Sequence, residues 1–288
     1  MSDLIYTSSV FDCNFSSNQG FVSFPFCYKG KLMTNSTDFP ICNLTLKSSG
    51  TMRFRWNEVN SNRDDFIKNN FSSKIPIPIE LIHSKIVYAI DLDNEDNLIL
   101  LDSYGNTEAV KEVKIGDGLL SCNPKIVPLV TVADCLPIYL FDPVTKVFGL
   151  VHSGWKGTGI ATNAISLASK IYNSKVSDFC VVIGPHIHKC CYKVDLERAN
   201  YFSSTYGNNC VSLDTKNQNS LSLVQSNINL LLKIGVSKDN ILHCSDCTSC
   251  DSRFGSFRRE TTSLTQSISL EEPQLNFTPM AAFLTFPS

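Results

Sequence analysis

The sequence predicts an α/β (α+β) fold: a single layered domain in which helices flank mixed β-sheets. Short runs of β-branched and aliphatic residues, such as 125–135 and 179–185, are typical of buried strands. Between two such runs, the apolar residues of 158–171 recur at helical spacing. Strand 147–152, helix 158–171 and strand 179–183 are therefore expected to form a β-α-β unit with parallel strands.

The first third of the chain carries weaker patterns. Residues 22–28 and 41–46 are compatible with strands, and residues 58–71 with a short helix capped by Asn62. The run IELIHSKIVYAI (79–90) is β-branched and aliphatic, which predicts a strand with a histidine inside it.

A hairpin is predicted where PIYLF and VFGLVH flank the polar segment DPVTK. A turn centred near Val144 places residue 136 opposite His152, so that Cys135 lies one residue out of register. Directly opposed cross-strand residues have Cβ atoms roughly 5 Å apart, and diagonal ones roughly 7–8 Å. The side chains of Cys135 and His152 are therefore expected to emerge close together at the open end of the hairpin.

The remaining elements are a second helix and two strands. Residues 221–234 predict a helix that ends at Gly235, because glycine commonly follows a helix C-terminus. Residues 241–244 and 280–286 predict strands. The sequence contains no internal repeat and no clear linker, so a single domain over residues 1–288 is the simplest prediction.

The composition narrows the class of protein. Of the 288 residues, 43 % are hydrophobic and 18 % charged, which is typical of a globular protein. The net charge of −2 and the absence of a basic run argue against a nucleic-acid binder. No apolar run approaches the roughly 20 residues that span a bilayer, and the first residues show no secretory signal. We therefore expect a cytoplasmic monomer or small homo-oligomer whose twelve cysteines are reduced.

Two chemistries use a cysteine and a histidine at this distance. One is a thiolate nucleophile activated by an imidazole. The other is a metal site, for which zinc takes thiolate sulfur and imidazole nitrogen, and a catalytic zinc has three protein ligands. His83 is the candidate third ligand. The alternative is that His83 and His152 are structural histidines and that Cys135 is a buried apolar residue.

The segment HSGWKGT (152–158) joins a predicted strand to a predicted helix. Glycines allow a tight turn there, and the N–H groups at a helix start attract anions. Lys156 adds a positive charge suited to phosphate. Beside a metal site, this pattern predicts that a phosphate or another anionic group enters the same pocket.

Several long motifs of the sequence resemble those of one protein family. The run VTVADCLPIYLFDPVTKVFGLVHSGWKGT, followed by VVIGPHIHKCCYKVD, closely resembles the laccase-domain family of purine nucleoside phosphorylases, formerly called multicopper polyphenol oxidoreductases. In that family ADC-x-P is followed by VHAGWRGT and by IGP-x-I-x-x-CCYEVD. The segments LIHSKIV, IGDGLL, SFRRE and MAAFLTF also resemble family segments. The resemblance covers roughly residues 40–288 and leaves 1–40 poorly matched.

The resemblance implies a fold, a metal and a reaction. The fold would be similar to that of the cytotoxic-necrotizing-factor-like cysteine hydrolases. A single zinc would be held by His83, Cys135 and His152, with copper as an alternative because it binds such sites more tightly. The reaction would be phosphorolysis of adenosine, inosine, guanosine or methylthioadenosine to base and sugar 1-phosphate, with some adenosine deamination. The residues expected to bind substrate or phosphate are Trp155, Lys156, Gly157, Tyr192, Arg258 and Arg259.

The sequence departs from the family pattern at several positions. An arginine is replaced by Lys156, a glutamate by Lys193 and a glutamine by Leu81. The usual Thr-Gly-Arg before the last strand is replaced by Phe277-Thr278-Pro279, after an insertion at about 261–276.

Three alternative functions remain open. A copper-dependent, laccase-like polyphenol oxidase needs many imidazoles, whereas the chain has five histidines and a single H-x-H, His186-x-His188. A metal-free hydrolase would use Cys135 with His152 and would tolerate the loss of His83. A non-catalytic purine-binding module would bind nucleosides without turnover.

The segment HCSDCTSC carries Cys244, Cys247 and Cys250 at C-x2-C-x2-C spacing. This spacing is compatible with an iron–sulfur cluster or a structural zinc. No fourth cysteine followed by proline is nearby, so the sequence favours a loop of free thiols.

Overall fold

The computed structural model describes residues 10–15, 20–34, 37–104, 106–214, 218–262 and 276–287. Within these ranges the chain forms strands β1 (Val10–Phe11), β2 (Phe21–Phe24), β3 (Cys27–Tyr28), β4 (Lys31–Leu32), β5 (Ile41–Thr45), β6 (Ile75–Pro78), β7 (Val87–Leu92), β8 (Leu98–Leu101), β9 (Thr107–Ala109), β10 (Gly118–Ser121), β11 (Ile126–Val132), β12 (Leu136–Phe141), β13 (Phe148–Ser153), β14 (Cys180–Ile183), β15 (Val211–Ser212), β16 (Ser220–Leu221), β17 (Ile241–Cys244) and β18 (Met280–Thr285). The α-helices are α1 (Ser61–Asn70), α2 (Ile160–Tyr172), α3 (Leu196–Tyr206), α4 (Leu223–Ile234) and α5 (Phe257–Thr261). None of the helices in the described ranges is long and apolar enough to cross a membrane.

Two mixed sheets form the frame of the molecule. The larger has nine strands in the order β1-β17-β14-β12-β13-β10-β7-β8-β9, and the smaller has five in the order β2-β5-β18-β11-β6. Both sheets combine parallel and antiparallel pairs. The predicted α/β class with mixed sheets and flanking helices is confirmed.

The core lies on both faces of the nine-stranded sheet. Alternate residues of β12 point to opposite faces, as the pleat requires. Tyr139 belongs to a cluster with Met280 of the smaller sheet, whereas Ile138 belongs to a cluster with Ala164 of α2 and Leu231 of α4. The layers are therefore small sheet, large sheet and helices.

The predicted β-α-β unit corresponds to β13, α2 and β14. Each strand pairs antiparallel with β12, which lies between them. The two strands therefore run parallel to each other, as the sequence predicts, without being direct neighbours.

The predicted strand over 79–90 is shorter in the structure, because β7 begins at Val87. His83 lies in the preceding loop, with a left-handed φ of 57°. The carboxylate of Asp117 accepts hydrogen bonds from the backbone N–H groups of His83 and Ser84, at 3.0 and 2.6 Å. Those N–H groups are thereby taken up by a side chain instead of a neighbouring strand.

Two other local predictions are wrong by one or two residues. In the hairpin, Pro137 rather than residue 136 lies opposite His152. The cause is a loop closed by a hydrogen bond from Asp142 N to Val147 O, with Lys146 at a φ of 63°. The cap of α1 is Asn60 rather than Asn62, since its side chain accepts a hydrogen bond from the N–H of Arg63.

Candidate metal centre and active-site cavity

Three segments bring His83, Cys135 and His152 together. His83 comes from the loop before β7, Cys135 from the turn before β12, and His152 from β13. Their ligand atoms all lie within 4.8 Å of one another. The two imidazole rings are 4.9 Å apart between centroids.

Asp134 fixes the turn that presents Cys135. It has a φ of 83°, and its buried carboxylate accepts hydrogen bonds from Thr248 Oγ1 and from the backbone N–H of Arg258, both at 2.6 Å. Because both carboxylate oxygens are engaged by other segments, the turn is tied to the loop of Thr248 and to the start of α5, which carries Arg258.

Gly154 leaves the room that the three ligands need. A Cβ atom at this position would lie 3.0 Å from Cys135 Sγ and 3.4 Å from His83 Cδ2. A side chain at Gly154 would therefore displace the sulfur or the ring. This close approach explains the glycine two residues after His152.

Asp117 holds both histidines in place through hydrogen bonds. It is fully buried at the start of β10, and its Oδ1 lies 2.9 Å from His152 Nδ1. A carboxylate only accepts hydrogen bonds, so Nδ1 of His152 carries the proton and Nε2 is left to bind a metal. Burial opposes ionisation of Asp117, but hydrogen bonds from His152 and Ser84 outweigh it and lower the pKa of the carboxyl group.

The Cys135 thiol and the His152 imidazole shift the pKa of each other. Burial opposes the thiolate, but His152 and His83 outweigh it and lower the pKa of Cys135 to about 6. Burial likewise opposes the imidazolium of His152, but the thiolate and Asp117 outweigh it and raise its pKa to about 9. In the metal-free protein the thiolate–imidazolium pair is therefore the main species between about pH 6 and pH 9.

This pair predicts an unusual reactivity in the metal-free protein. Because the pKa of Cys135 is lowered to about 6, its alkylation by iodoacetamide should rise through pH 6 and level off near pH 7. Thiol alkylation followed by peptide mass spectrometry measures the rate at each residue. Cys122, whose pKa burial raises, should react only at alkaline pH. A Cys135 profile that follows the profile of Cys122 would contradict the assignment.

The donor set fits a catalytic zinc site. One thiolate and two imidazoles are ligands that zinc prefers, and three protein ligands leave one coordination position for substrate or water. The buried carboxylate that orients His152 is also typical of zinc sites. Copper accepts the same nitrogen and sulfur donors, so the donor set does not choose between the two metals.

The three ligands lie on the wall of a cavity of about 470 Å³. This volume is within the usual range for small-molecule sites, roughly 300–1,000 Å³. Its aromatic lining residues are Phe54, Trp155, Tyr192, Phe257 and Phe277, and its arginines are Arg53, Arg55, Arg198 and Arg258. The cavity therefore offers flat apolar surfaces and several cations beside the donor set.

Three of the substrate residues expected from the sequence line this cavity, namely Trp155, Tyr192 and Arg258. The guanidinium of Arg198 lies 4.3 Å from the centroid of the Trp155 ring, and that of Arg258 lies 5.4 Å from the Tyr192 ring. Arg258 also donates to Lys193 O at 3.3 Å.

The other three expected residues do not line the cavity. Arg259 donates to the carbonyl oxygens of Thr248 and Phe254, so its guanidinium ties α5 to the loop that precedes it. Lys156 is exposed, with its ammonium 5.4 Å from the centroid of the Trp155 ring. Gly157 is buried where an added Cβ would meet the Ser84 carbonyl oxygen at 3.0 Å, which indicates a packing role.

Sequence reasoning missed Asp117 and three of the cavity arginines. Asp117 was visible only as part of the IGDGLL resemblance. Arg53 forms a bidentate pair with Glu58 at 2.8 and 2.9 Å, and Arg55 lies 3.1 Å from Glu80. The spacing of Arg53 and Arg55 by two residues, in an otherwise apolar run, was the available signal that both face one side.

A layered α/β fold with a His–Cys–His donor set on a cavity wall defines the class as a laccase-domain protein. The chain belongs to the family described as multi-copper polyphenol oxidoreductase laccase, whose pattern matches residues 42–270.

Similar proteins carry another name. A protein named purine nucleoside phosphorylase from Borreliella burgdorferi is 31 % identical over 188 residues, which cover 63 % of this chain and 72 % of that protein. Purine nucleoside phosphorylase LACC1 of Mus musculus is 32 % identical over 146 residues, 49 % of this chain and only 34 % of that longer protein. The crystal structure of the hypothetical protein YfiH from Bacillus licheniformis has a TM-score of 0.71 at 21 % identity, over 96 % of this chain and 99 % of that chain, and shows the same fold.

Proposed function

We propose that the protein is a zinc-dependent purine nucleoside phosphorylase that converts adenosine, inosine, guanosine or methylthioadenosine and phosphate to the base and the sugar 1-phosphate. The observation that carries the proposal is the convergence of His83, Cys135 and His152 on the wall of a cavity with aromatic and arginine side chains. The names of the relatives support it.

The aromatic wall provides a place for the purine. We assign this role to Trp155, which is 37 % exposed and has the guanidinium of Arg198 4.3 Å from its ring centroid. Phe257 and Phe277 pack edge to face at 5.1 Å and would exclude water from the opposite side. We place the sugar of a base bound between these surfaces near the three donor residues, because all of these side chains line the same cavity.

The arginines provide the charge for phosphate. In the reaction, a phosphate oxygen forms a bond to C1′ of the sugar while the bond from C1′ to the base breaks, and the base takes up a proton. Arg258 would hold the phosphate and stabilise charge as it redistributes. A bound zinc supplies Lewis acidity to an oxygen of phosphate or of water, and the second use would account for adenosine deamination as a side activity.

The arginine that the family carries before the last strand is absent, because Pro279 occupies its place. The segment with Arg53 and Arg55 lies beside this position, since Met52 N donates to Pro279 O at 2.8 Å. Both arginines line the cavity. We assign them as the supporting cations in place of the missing arginine.

Phosphate dependence is the test of the proposed reaction. The purified protein, loaded with zinc, is incubated with inosine or adenosine in the presence and absence of phosphate, and base and ribose 1-phosphate are separated by chromatography. Base and sugar 1-phosphate should appear in equal amounts and only with phosphate. Base released equally without phosphate would mean hydrolysis, and bound nucleoside without turnover would mean a binding module.

One observation favours a second candidate function. Cys135, His152 and Asp117 stand in the order nucleophile, base and carboxylate, with His152 Nδ1 2.9 Å from Asp117 and the pKa of the thiol lowered to about 6. This arrangement suits a metal-free thiol hydrolase. Such an enzyme would retain activity after chelation and after replacement of His83, whereas the phosphorylase would lose it. A copper-dependent polyphenol oxidase would instead oxidise phenols with copper as the bound metal.

A further inference from the structure

A second group of sulfur atoms lies outside the catalytic site. The Sγ atoms of Cys190, Cys191, Cys247 and Cys250 are all within 4.8 Å of one another. Cys190 is 3.7 Å from both Cys191 and Cys250, and Cys191 is 3.3 Å from Cys250. Four thiols from two distant segments therefore converge at one point of the surface.

These separations match a metal site better than a set of disulfides. Zinc binds sulfur at about 2.3 Å, so two sulfurs of a tetrahedral site lie about 3.8 Å apart. A disulfide brings its sulfurs to about 2.05 Å. The three sulfur–sulfur distances among Cys190, Cys191 and Cys250, 3.3 to 3.7 Å, are close to the first value and far from the second.

The backbone around these cysteines has the form of two tight turns. Cys191 N donates to His188 O at 3.0 Å, and Cys250 N donates to Cys247 O, also at 3.0 Å. The N–H of His188 points at Cys247 Sγ, 3.3 Å away. An N–H donor directed at sulfur stabilises a thiolate, as the surrounding shell of metal ligands commonly does.

We propose that Cys190, Cys191, Cys247 and Cys250 bind a zinc ion as a closed, structural tetrathiolate site. The sequence alone pointed away from it, because only two of the four ligands, Cys247 and Cys250, lie in the C-x2-C-x2-C segment. Cys244, the third cysteine of that segment, belongs instead beside Cys13, 3.6 Å away. The missing ligands come from the adjacent pair at 190–191, which the fold supplies.

The site joins two walls of the cavity. Tyr192 follows Cys191 directly, and Thr248 follows Cys247. Thr248 donates to Asp134 at 2.6 Å, and Asp134 precedes the catalytic Cys135. A zinc ion at this point would clamp the Tyr192 turn to the loop that leads to Arg258, and would thereby hold the substrate cavity in shape.

Metal content tests the site separately from the catalytic centre. The full chain is purified under reducing conditions with zinc, and metal is quantified by mass spectrometry. Wild type should hold about two zinc ions per chain. A Cys190→Ser/Cys250→Ser variant should hold one and keep the catalytic zinc, and His83→Ala should lose the other. Cys122→Ser, a matched control outside both groups, should retain both.

The identity of the ligands is tested in the His83→Ala background, where failure of the proposed function does not matter. Cobalt replacing zinc should give intense sulfur-to-metal charge-transfer absorption and the visible bands of a tetrahedral ion. These signals should disappear in the triple variant that also carries Cys190→Ser and Cys250→Ser. If the double serine substitution prevents folding, a mercurial titration of the His83→Ala variant replaces it, and zinc should be released as the thiols of this group react.

Three outcomes would overturn the proposal. The first is a single zinc per wild-type chain, with intact mass lower by two hydrogens for each disulfide. The second is an iron–sulfur chromophore in place of zinc. The third is unchanged metal content in the folded double serine variant.

Discussion

Replacing His83 by alanine should remove zinc from the cavity and lower kcat/KM for phosphorolysis by about a thousandfold or more. A catalytic metal contributes several kcal/mol of transition-state stabilisation, and each 1.4 kcal/mol corresponds to about tenfold in rate. His83 is exposed and lies in a loop, so its truncation leaves no buried cavity. The fold should therefore persist while the activity is lost.

The matched control is Lys85→Ala. Lys85 is an exposed residue of the same loop, and only its backbone oxygen lies near Asn163, at 3.4 Å from Nδ2. This variant should keep its zinc and most of its activity. Metal content, circular dichroism and steady-state kinetics with inosine and phosphate are compared for both variants. Full activity in a metal-free His83→Ala protein would refute the zinc role.

Elements with strong periodicity could be predicted from the sequence to within two residues. Helix α2 was expected at 158–171 and occupies Ile160–Tyr172, and α4 was expected at 221–234 and occupies Leu223–Ile234. Both bury an apolar stripe, and Gly235 ends α4 in the left-handed conformation. In these helices the local pattern and the tertiary packing require the same conformation.

The loop of His83 could not be predicted in this way. Its sequence favours a strand, yet a carboxylate 34 positions away captures the N–H of His83 and of Ser84. The same limit applies to the tetrathiolate group, whose two halves are separated by more than fifty residues. Spacing within a segment reports only local ligands, whereas a site assembled by the fold also draws on distant ones.

The predicted hairpin grouped Cys135 with His152, and His83 was the candidate third ligand. The family resemblance then implied that all three bind one metal ion. The observed register differs by one residue, yet Cys135 still reaches His152, because the turn at Asp134 redirects the chain just before β12. The cavity arginines depended on tertiary structure. Arg53 and Arg55 lie at the pocket in a segment that is hydrogen-bonded to Pro279, which is more than two hundred positions away in the sequence.

The second large effect is expected for Asp117→Asn. The two carboxylate oxygens accept from His152 Nδ1 and His83 N on one side, and from the N–H and hydroxyl of Ser84 on the other. The amide of the Asp117→Asn variant would place its NH2 group, a hydrogen-bond donor, where one of these carboxylate oxygens now accepts. The buried donors on that side would then lose their acceptor. The free energy of unfolding should fall by about 3 kcal/mol. Zinc affinity should fall by roughly 10- to 100-fold, because His152 is no longer held in the correct orientation.

Asp142→Asn is the control variant that separates the loss of stability from the loss of zinc affinity. Asp142 is equally buried and accepts hydrogen bonds from Val144 N and Thr145 Oγ1, at 2.8 and 2.6 Å, in the hairpin turn at the far end of β12. It should destabilise the fold without changing zinc affinity. Urea unfolding of the metal-free proteins gives the stabilities, and competition with a chromogenic chelator gives the affinities. If Asp117→Asn bound zinc as tightly as Asp142→Asn does, Asp117 would be only a structural carboxylate. A selective loss of affinity would instead identify it as the residue that sets the orientation and the protonated nitrogen of His152.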